Sequence, residues 1–202
     1  MRTLIFDSPQ IVTEEELEAD LLKLTAWRRE QAVSFRFHLG RVLCSKAYLL
    51  LMQGLGEQYG IRRNQDFSYM DSGKPGLKEH PEIHFSLSHC KNGVLCAIDD
   101  RPIGCDIEYL DRKFDENLCR YCCSASEADD IMSSASPSER FAEFWTRKEA
   151  FVKYTGEGIS NDMKHVLDRT EAFSLILETH VCREKGYVWS VCHSAESSEI
   201  SF

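Results

Sequence analysis

The sequence predicts an α+β fold with antiparallel sheets, because helical and strand-like patterns follow one another in separate blocks. Apolar residues recur at helical spacing over residues 13–53. Apolar and polar side chains then alternate over residues 83–88, and the Asn92-Gly93 turn signal leads into a second apolar run, which is typical of a β-hairpin. A helical pattern over residues 137–154 is again followed by apolar runs of strand length.

Three helices are predicted in the first block. The first covers residues 13–24 and opens with a capping box formed by Thr13 and Glu16. Two more are predicted over residues 28–37 and 39–53. A turn-rich loop, SGKPG at residues 72–76, follows them. Three glycines are expected to end the helical block: Gly54, Gly56 and Gly60.

The second block begins with a strand predicted over residues 103–110. The segment 112–139 is polar and is expected to be partly helical, and the helix over residues 137–154 is expected to end at Gly156 and Gly158. Two further strands are predicted over residues 173–177 and 187–192. Helices are thus expected to precede strands twice, which divides the chain into predicted halves at residues 1–100 and 101–202.

Length and charge limit the function classes. With 202 residues, the chain is long enough to bury a sizeable core. Its formal net charge of −9 argues against general nucleic-acid binding, although a cluster of cations or a bound metal could still hold a polyanion. Nothing after Met1 is typical of a signal peptide, and no apolar stretch approaches the roughly 20 residues of a membrane span. We therefore expect a cytoplasmic protein that does not enter membranes.

The nine cysteines are scattered from Cys44 to Cys192, and the clearest cluster is Cys119, Cys122 and Cys123. A structural zinc site would need a second cysteine pair or histidines at suitable spacing, and neither follows the cluster. Reduced, mostly buried thiols are the favoured interpretation. The sequence does not assign the cluster a role.

Asp106 and Glu108 lie two residues apart on the predicted strand IGCDIEYL. Side chains at this spacing share a face, so two carboxylates can converge on one hard cation, with Mg²⁺ the natural choice. The alternative is a solvated strand face that happens to be acidic. Gly104, on the same face, is expected to leave open space beside the acids and so favours a site.

The helix that contains FAEFWTRKEAFVKYTGEG combines an apolar stripe with charged residues. Glu149 and Lys153 are four residues apart at the edge of the stripe. They are either an exposed ion pair or a third metal ligand with a phosphate-binding cation. Lys148 falls within the stripe, so it must extend to the surface or meet a partner. The other candidates for ligand contacts are cations that are otherwise ordinary surface charges, Arg28, Arg36, Arg41 and Lys74, and two residues near a strand end, Ser88 and His89, of which the histidine could equally be structural.

The segments HFSLSHCKNGVLCAI, PIGCDIE and FWTRKEAFVKYTGEGIS occur in this order, after an upstream SGKPGL. In this combination the chain resembles the surfactin-synthetase-activating type of 4′-phosphopantetheinyl transferase over essentially its full length. The resemblance implies a monomer of two similar α/β halves, each an antiparallel sheet with helices packed on it, related by pseudo-twofold symmetry. The active site is then expected in the cleft between the halves.

The resemblance also implies a reaction and its residues. Such enzymes transfer phosphopantetheine from coenzyme A, the co-substrate, to a serine of an acyl or peptidyl carrier protein, with Mg²⁺ or alternatively Mn²⁺, and release adenosine 3′,5′-bisphosphate. Asp106, Glu108 and Glu149 correspond to metal ligands, with Asp106, Glu149 and Lys153 in catalytic roles. The residues expected to contact coenzyme A are Arg28, Arg41, Lys74, Pro75, Ser88, His89 and Lys153. Gln31 stands where a second lysine is frequent.

Two other functions stay open at the level of the sequence. The same acids could serve a metal-dependent phosphohydrolase that acts on coenzyme A or a related diphosphate, with water as the nucleophile. The chain could also be a non-catalytic module that binds coenzyme A or a carrier protein. The identity of the carrier and its pathway, the tolerance for acyl-coenzyme A and the metal preference are not determined by the sequence.

Overall fold

The computed structural model describes residues 1–158 and 163–195. The predicted α+β class with antiparallel sheets is confirmed. Within these residues, no helix combines the length and the apolar character needed to cross a bilayer. In chain order the elements are β1 (Arg2–Asp7), α1 (Glu14–Leu21), α2 (Ala26–Ser34), α3 (His38–Tyr59), β2 (Phe67–Tyr69), β3 (Pro75–Leu77), β4 (His84–Cys90), β5 (Gly93–Asp99), β6 (Ile103–Tyr109), α4 (Glu116–Cys122), α5 (Ala125–Ser133), α6 (Pro137–Thr155), α7 (Arg169–Ala172), β7 (Leu175–Cys182) and β8 (Tyr187–Ser194).

The predicted capping box is present at the start of α1. The Thr13 hydroxyl accepts a hydrogen bond from the Glu16 backbone N–H at 3.2 Å, and the Glu16 carboxylate accepts one from the Thr13 backbone at 2.8 Å. The predicted end of α3 is wrong, because the helix continues to Tyr59 and only Gly60 ends it, in a left-handed conformation with φ 70°. Gly54 lies inside the helix, where a Cβ would come within 2.4 Å of Ile98.

The strand β1 was not predicted. Its residues pair antiparallel with β5, so the N-terminal half begins with a strand and not with a helix. In each half, an opening strand is followed by helices and then by two final strands that complete the same sheet, with the short pair β2–β3 inserted in the first half and the short helix α7 in the second. The sheet orders are β1-β5-β4 and β6-β8-β7, which place the last strand of each half in the middle. This shared topology supports the predicted pseudo-twofold relation and the division near residue 100, which stay predictions.

Three apolar clusters connect these layers. The helix α3 packs on the first sheet, where Leu51 and Leu55 lie among residues that include Phe85 and Ile98. The helix α6 packs on the second sheet in the same way. A third cluster joins the two sheets: Leu95, Ala97, Ile103, Ile107 and Val191 are among its members, and each is at most 1% exposed. The two halves thus bury apolar side chains against each other through this third cluster.

The edge strands β4 and β6 meet at the boundary between the halves. These strands belong to different sheets, and hydroxyls of two serines on β4 form hydrogen bonds with the backbone of β6. The Ser86 hydroxyl accepts from the backbone N–H of Cys105 at 3.0 Å, and the Ser88 hydroxyl accepts from that of Ile107 at 3.4 Å. This serine seam, Ser86 and Ser88, fixes the position of β6 relative to the first sheet.

The nine cysteines are free thiols, and all of them except the half-buried Cys182 are buried. Cys119, Cys122 and Cys123 pack in the core beneath α6. Burial raises the pKa of Cys105 to about 11 and that of Cys192 to about 12, so both remain protonated at neutral pH.

Candidate active site

Asp106 lies on the face of β6 that packs against α6, and it is only 5% exposed. Its Oδ1 atom accepts hydrogen bonds from Lys153 Nζ at 2.7 Å and from the Ser88 hydroxyl at 2.6 Å. Its Oδ2 atom is buried and has no hydrogen-bond partner among the described residues. A buried carboxylate oxygen without a partner is costly, so this atom calls for a further cation or donor.

Gly104 does not leave open space beside the acids, which corrects the expectation from the sequence. A Cβ at this position would lie 2.1 Å from the Ala150 carbonyl oxygen and 2.3 Å from the Tyr154 backbone nitrogen. The glycine therefore allows the backbone of α6 to lie directly on β6. This close approach brings Glu149 and Lys153 to the acid-bearing strand.

Glu149 and Lys153 stand one turn apart on α6 and both line the cleft between the halves. Glu149 is 8% exposed, and its Oε1 atom is buried without a hydrogen-bond partner in the described part of the chain. Burial and the nearby Asp106 carboxylate raise the pKa of Glu149. For Lys153, burial favours the neutral form, but Asp106 outweighs it and raises the pKa of the ammonium group. Lys153 is therefore a fixed positive charge.

Glu108 belongs to the same electrostatic cluster. Burial raises its pKa, and Asp106 and Glu149 raise it further, while Arg112 and Lys153 act in the opposite direction. Three carboxylates thus repel one another across the β6–α6 contact. Such repulsion is the condition that a divalent cation would relieve.

The residues present fit a hard divalent cation through Asp106 and Glu149. Each offers a buried carboxylate oxygen that nothing else in residues 1–158 and 163–195 satisfies. In that same part of the chain, no three His, Cys, Asp or Glu side chains converge closely enough to form a complete metal site. A cation held there would keep water or substrate oxygens as its other ligands, which is the usual habit of Mg²⁺. The role of Glu108 as a third ligand stays a prediction.

Two adjoining cavities form the cleft, and Pro75, Leu87 and Lys153 belong to both walls. One cavity, of about 260 Å³, extends past Glu149 and Val152 to the end of α6. The other, of about 400 Å³, extends toward Arg28 and His89 in the first half. The cleft therefore has one end beside Val152, where α6 finishes, and a polar end beside Arg28, Gln31 and His89.

Arg28 is held in an aromatic cage at the polar end. Its guanidinium lies 5.2 Å from the ring centroid of Phe67 and 5.6 Å from that of Tyr48. One of its nitrogens donates to the Gln31 side-chain oxygen at 2.6 Å. Gln31 thus orients the arginine instead of adding a second positive charge. Trp27 completes the cage, and its role, like that of Tyr48 and Phe67, could not be predicted because these rings come from separate elements.

Lys74 contacts the second half of the chain directly. Its ammonium group donates to the carbonyl oxygens of Tyr154 at 2.9 Å and Ile103 at 3.3 Å, and burial lowers its pKa. These bonds join the 72–76 loop to the end of α6 and to the start of β6. Lys74 therefore holds the cleft together, and Pro75 is positioned beside it on the wall.

His89 and Arg41 complete the predicted set. His89 is solvent-accessible at the surface of the cleft. Partial desolvation of its ring by the surrounding protein, and secondly the positive charge of Lys153, lower its pKa and favour the neutral imidazole. Arg41 lies on the first turn of α3 and donates through Nε to the Phe35 carbonyl oxygen at 2.9 Å. In the part of the chain that the structure describes, this bond ties Arg41 to the α2–α3 connection and not to a cavity wall.

Comparison with known proteins shows which family the sequence is similar to. Residues 102–200 match the model of the 4′-phosphopantetheinyl transferase superfamily. Over 138 residues the chain is 36% identical to 4′-phosphopantetheinyl transferase psf-1 of Bacillus pumilus, covering 66% of this chain and 58% of that protein. Over 115 residues it is 30% identical to 4′-phosphopantetheinyl transferase Sfp of Bacillus subtilis strain 168, covering 55% of this chain and 51% of that one. The chain thus spans somewhat more than half of these relatives.

The chain belongs to the 4′-phosphopantetheinyl transferase superfamily. The family prediction is confirmed, and the Bacillus relatives support the surfactin-synthetase-activating type. A longer match reaches the L-aminoadipate-semialdehyde dehydrogenase-phosphopantetheinyl transferase of Eremothecium gossypii, at 29% identity over 210 residues, 92% of this chain and 75% of that protein. The last two residues of the predicted helix motif, Ile159 and Ser160, lie outside the described residues.

Within this member of the transferase superfamily, Lys148 has a structural partner. It is fully buried, and its ammonium group lies 2.8 Å from a Glu127 carboxylate oxygen and donates to the Met163 carbonyl at 2.7 Å. Glu127 in turn caps α5 by accepting from the Ser124 backbone. Lys148 therefore anchors α5 and the 163–165 turn to α6, behind the cleft. The sequence indicated that it needed a partner, but not which one.

Proposed function

We propose that this protein transfers the 4′-phosphopantetheine group of coenzyme A to a serine of an acyl or peptidyl carrier protein, in the manner of a holo-[acyl-carrier-protein] synthase. One observation carries the proposal: Lys153 meets Asp106 beside Glu149 in a cleft between two halves, and both acids keep a buried oxygen free. Membership of the transferase superfamily supports the same reaction. We also propose a cytoplasmic monomer.

The cleft suits the parts of coenzyme A. The apolar part of its wall, formed by Pro75, Phe85, Leu87 and Val152, suits the flat adenine ring. The polar end of the cleft offers the caged Arg28 and the neutral His89 as donors to the 3′-phosphate. Lys153, which belongs to both walls, contacts the diphosphate, which links the ribose to pantetheine. Lys74 and Ser88 contribute by shaping this cleft, and Arg41 would need a different side-chain position to contribute directly.

The reaction is a displacement at the phosphorus atom attached to pantetheine. The bond from the serine oxygen to phosphorus forms, the bond from phosphorus to the bridging oxygen breaks, and adenosine 3′,5′-bisphosphate leaves. Glu149 accepts the serine proton, directly or through water, because its carboxylate lines the cleft beside Lys153 and the proposed cation. Lys153 neutralises charge on the diphosphate oxygens. A bound Mg²⁺ or Mn²⁺, held by Asp106 and Glu149 with Glu108 as third ligand, would stabilise the departing bisphosphate.

A carrier-modification assay tests the proposal. The protein is incubated with coenzyme A and Mg²⁺, with and without an apo carrier protein, using one fatty-acid carrier and one peptidyl carrier. A carrier mass increase of one phosphopantetheine is expected, and none when the carrier serine is replaced by alanine. Release of bisphosphate without a carrier would support a phosphohydrolase instead. Binding of coenzyme A with neither product would support a non-catalytic module.

We propose that the carrier docks beside β6, on the segment from Leu110 to Ile131. Arg120 is committed to an ion pair with Glu116 at 2.8 Å, whereas Lys113 is exposed on the same surface. Arg112 also lowers the pKa of Glu108, so its replacement could alter the active site as well as docking. Replacement of Lys113 therefore tests carrier docking more directly.

Lys113→Glu is expected to raise the KM for the carrier severalfold without changing the KM for coenzyme A, because it places a negative charge against an acidic partner. Arg120→Glu, at an already paired position, is the matched control and should change the carrier KM less. An unchanged carrier KM for both Lys113→Glu and Arg112→Glu would remove this docking surface.

A further inference from the structure

Ser88 makes a contact that the binding role predicted for it does not explain. Its buried hydroxyl bridges two groups of the other half: it accepts from the Ile107 backbone N–H at 3.4 Å and lies 2.6 Å from Asp106 Oδ1. A serine hydroxyl carries one proton. Because the Ile107 N–H already points at the oxygen, that proton is directed to the carboxylate.

The two donors on Asp106 converge on one of its oxygens. Ser88 and Lys153 both bond to Oδ1, at 2.6 and 2.7 Å, so the carboxylate is held from opposite halves of the fold. Its Oδ2 atom is left buried and without a hydrogen-bond partner among the described residues. The orientation of the carboxylate plane, and hence the direction of the free oxygen, is therefore set by these two bonds.

We propose that Ser88 is a positioning residue that fixes the Asp106 carboxylate with Oδ2 free to bind the divalent cation. It acts through Asp106 and not on the reacting atoms. The inference rests on the proposed function only in requiring a cation at Asp106. Groups that orient a metal ligand through a hydrogen bond contribute strongly to metal affinity, since the ligand otherwise rotates away.

Ser86 provides a matched control on the same strand. Its hydroxyl makes the same kind of seam bond, from the Cys105 backbone N–H at 3.0 Å, but the carboxylate bond is made by Ser88. Ser86→Ala and Ser88→Ala therefore each remove one hydrogen bond from a β6 backbone N–H to a β4 hydroxyl, and Ser88→Ala also removes the bond to Asp106. If only Ser88→Ala loses affinity for the cation, the loss reports the positioning of Asp106. If both variants lose affinity equally, the loss reports the weakened contact between β4 and β6.

Direct Mn²⁺ binding to the whole protein tests the inference, measured by electron paramagnetic resonance of the free ion, with and without coenzyme A. Ser88→Ala is expected to raise the Kd for Mn²⁺ about tenfold or more, whereas Ser86→Ala and Ser88→Thr stay within about twofold of the unchanged protein. If Ser88→Ala does not fold, the Mn²⁺ affinities of Ser88→Thr and Ser88→Val are compared instead. These two side chains have nearly the same shape, but only threonine keeps the hydroxyl that bonds to Asp106.

Three results would overturn the inference: Mn²⁺ affinity that is unchanged in Ser88→Ala, an equal loss in Ser86→Ala, or no Mn²⁺ binding by the unchanged protein. The proposed function fails separately, because it depends on carrier modification. A protein that binds Mn²⁺ through an oriented Asp106 but modifies no carrier would contradict the transfer reaction and leave the role of Ser88 intact.

Discussion

At the scale of single residues, the site depends on acids that the fold leaves incompletely paired. Asp106 and Glu149 are both buried, yet each keeps one oxygen unpartnered in the described part of the chain. Burying such atoms destabilises the native state unless a ligand satisfies them. A ligand that satisfied these atoms would offset that cost, and such perturbed buried groups are common at functional sites.

Glu149→Gln should abolish most of the proposed transfer activity, because in the proposed reaction this residue is both a cation ligand and the base that accepts the serine proton. The expected loss in kcat is about 10²- to 10⁴-fold. Asp106→Asn should lower activity similarly through the cation. The mass of the carrier measures the transfer activity, and a chemical unfolding curve measures whether each variant keeps its fold. Near-normal turnover of either variant at saturating Mg²⁺, with the fold intact, would mean that the acids are wrongly assigned.

His89 should titrate below the ordinary histidine value of about 6.5 in the free protein. Because its folded pKa is lowered, the unfolded chain takes up this proton first as the pH falls, so stability is lost below about pH 6.5. Ring-proton NMR, assigned by the loss of the signal in His89→Asn, measures the pKa. Adenosine 3′,5′-bisphosphate should raise it by placing an anion nearby. A pKa above 6.5 without ligand, or no response to the anion, would place His89 outside the nucleotide site.

At the scale of elements, the contact of β6 with α6 brings the functional residues together. Its closest point is Gly104, where the helix backbone fills the space of a side chain. The cluster of Asp106, Glu149 and Lys153 depends on this spacing, since a longer distance between strand and helix would separate Lys153 from the carboxylate.

Gly104→Ala should force α6 away from β6 and destabilise the protein by about 3 kcal/mol, as expected for overpacking against backbone atoms. Gly56→Ala is the matched control, because its added Cβ would meet only the Ile61 carbonyl oxygen at 3.6 Å. That variant should be neutral or more stable by up to about 1 kcal/mol, since alanine favours a helix interior. Chemical denaturation measures both. Equal stability of the two variants would contradict the close approach.

The sequence predicted those elements whose residues carry their own pattern. The capping box at Thr13, the β4–β5 hairpin and the helix α6 all follow from local spacing, and they lie close to their predicted bounds. The strand β1 was missed because its apolar run is short and its partner β5 lies far along the chain. The interpretation of Gly104 was wrong for a related reason: sequence does not reveal which backbone lies above a glycine.

The same limit applied to the site. Motif spacing predicted that Asp106 and Lys153 belong to one site, and the structure joins them. It did not predict that Lys74 bonds to the end of α6, or that Gln31 and three aromatic rings hold Arg28. The contacts of Lys74 with α6 and of Arg28 with Tyr48 and Phe67 join elements remote in sequence, whereas Trp27 and Gln31 lie on the same helix as Arg28.

At the scale of the whole molecule, the halves are joined by apolar packing and by specific polar bonds. The inter-sheet cluster, the serine seam and Lys74 all cross the boundary. Neither half can expose its share of this interface without placing fully buried residues such as Leu95 and Ile103 in water. The cleft therefore has walls held at a fixed distance.

The chain should accordingly unfold in one cooperative transition, because the interface makes each half depend on the other. Trp27 reports on the first half, while Trp145 and Trp189 report on the second. Fluorescence of variants that retain only Trp27, or only the other two, should give the same denaturation midpoint as far-ultraviolet circular dichroism. Two separated midpoints would show that residues 1–100 and 101–202 are independent units.

The free thiols are distributed so that their reaction with an alkylating reagent can report local unfolding in different parts of the molecule. Cys96 is enclosed in the first half and Cys119 in the second, while Cys182 is partly accessible. An alkylating reagent can therefore modify the enclosed sulfurs only during local or global opening of the surrounding structure. The order in which these sites acquire the label would reveal which part of the protein loosens first, and whether coenzyme A closes it again.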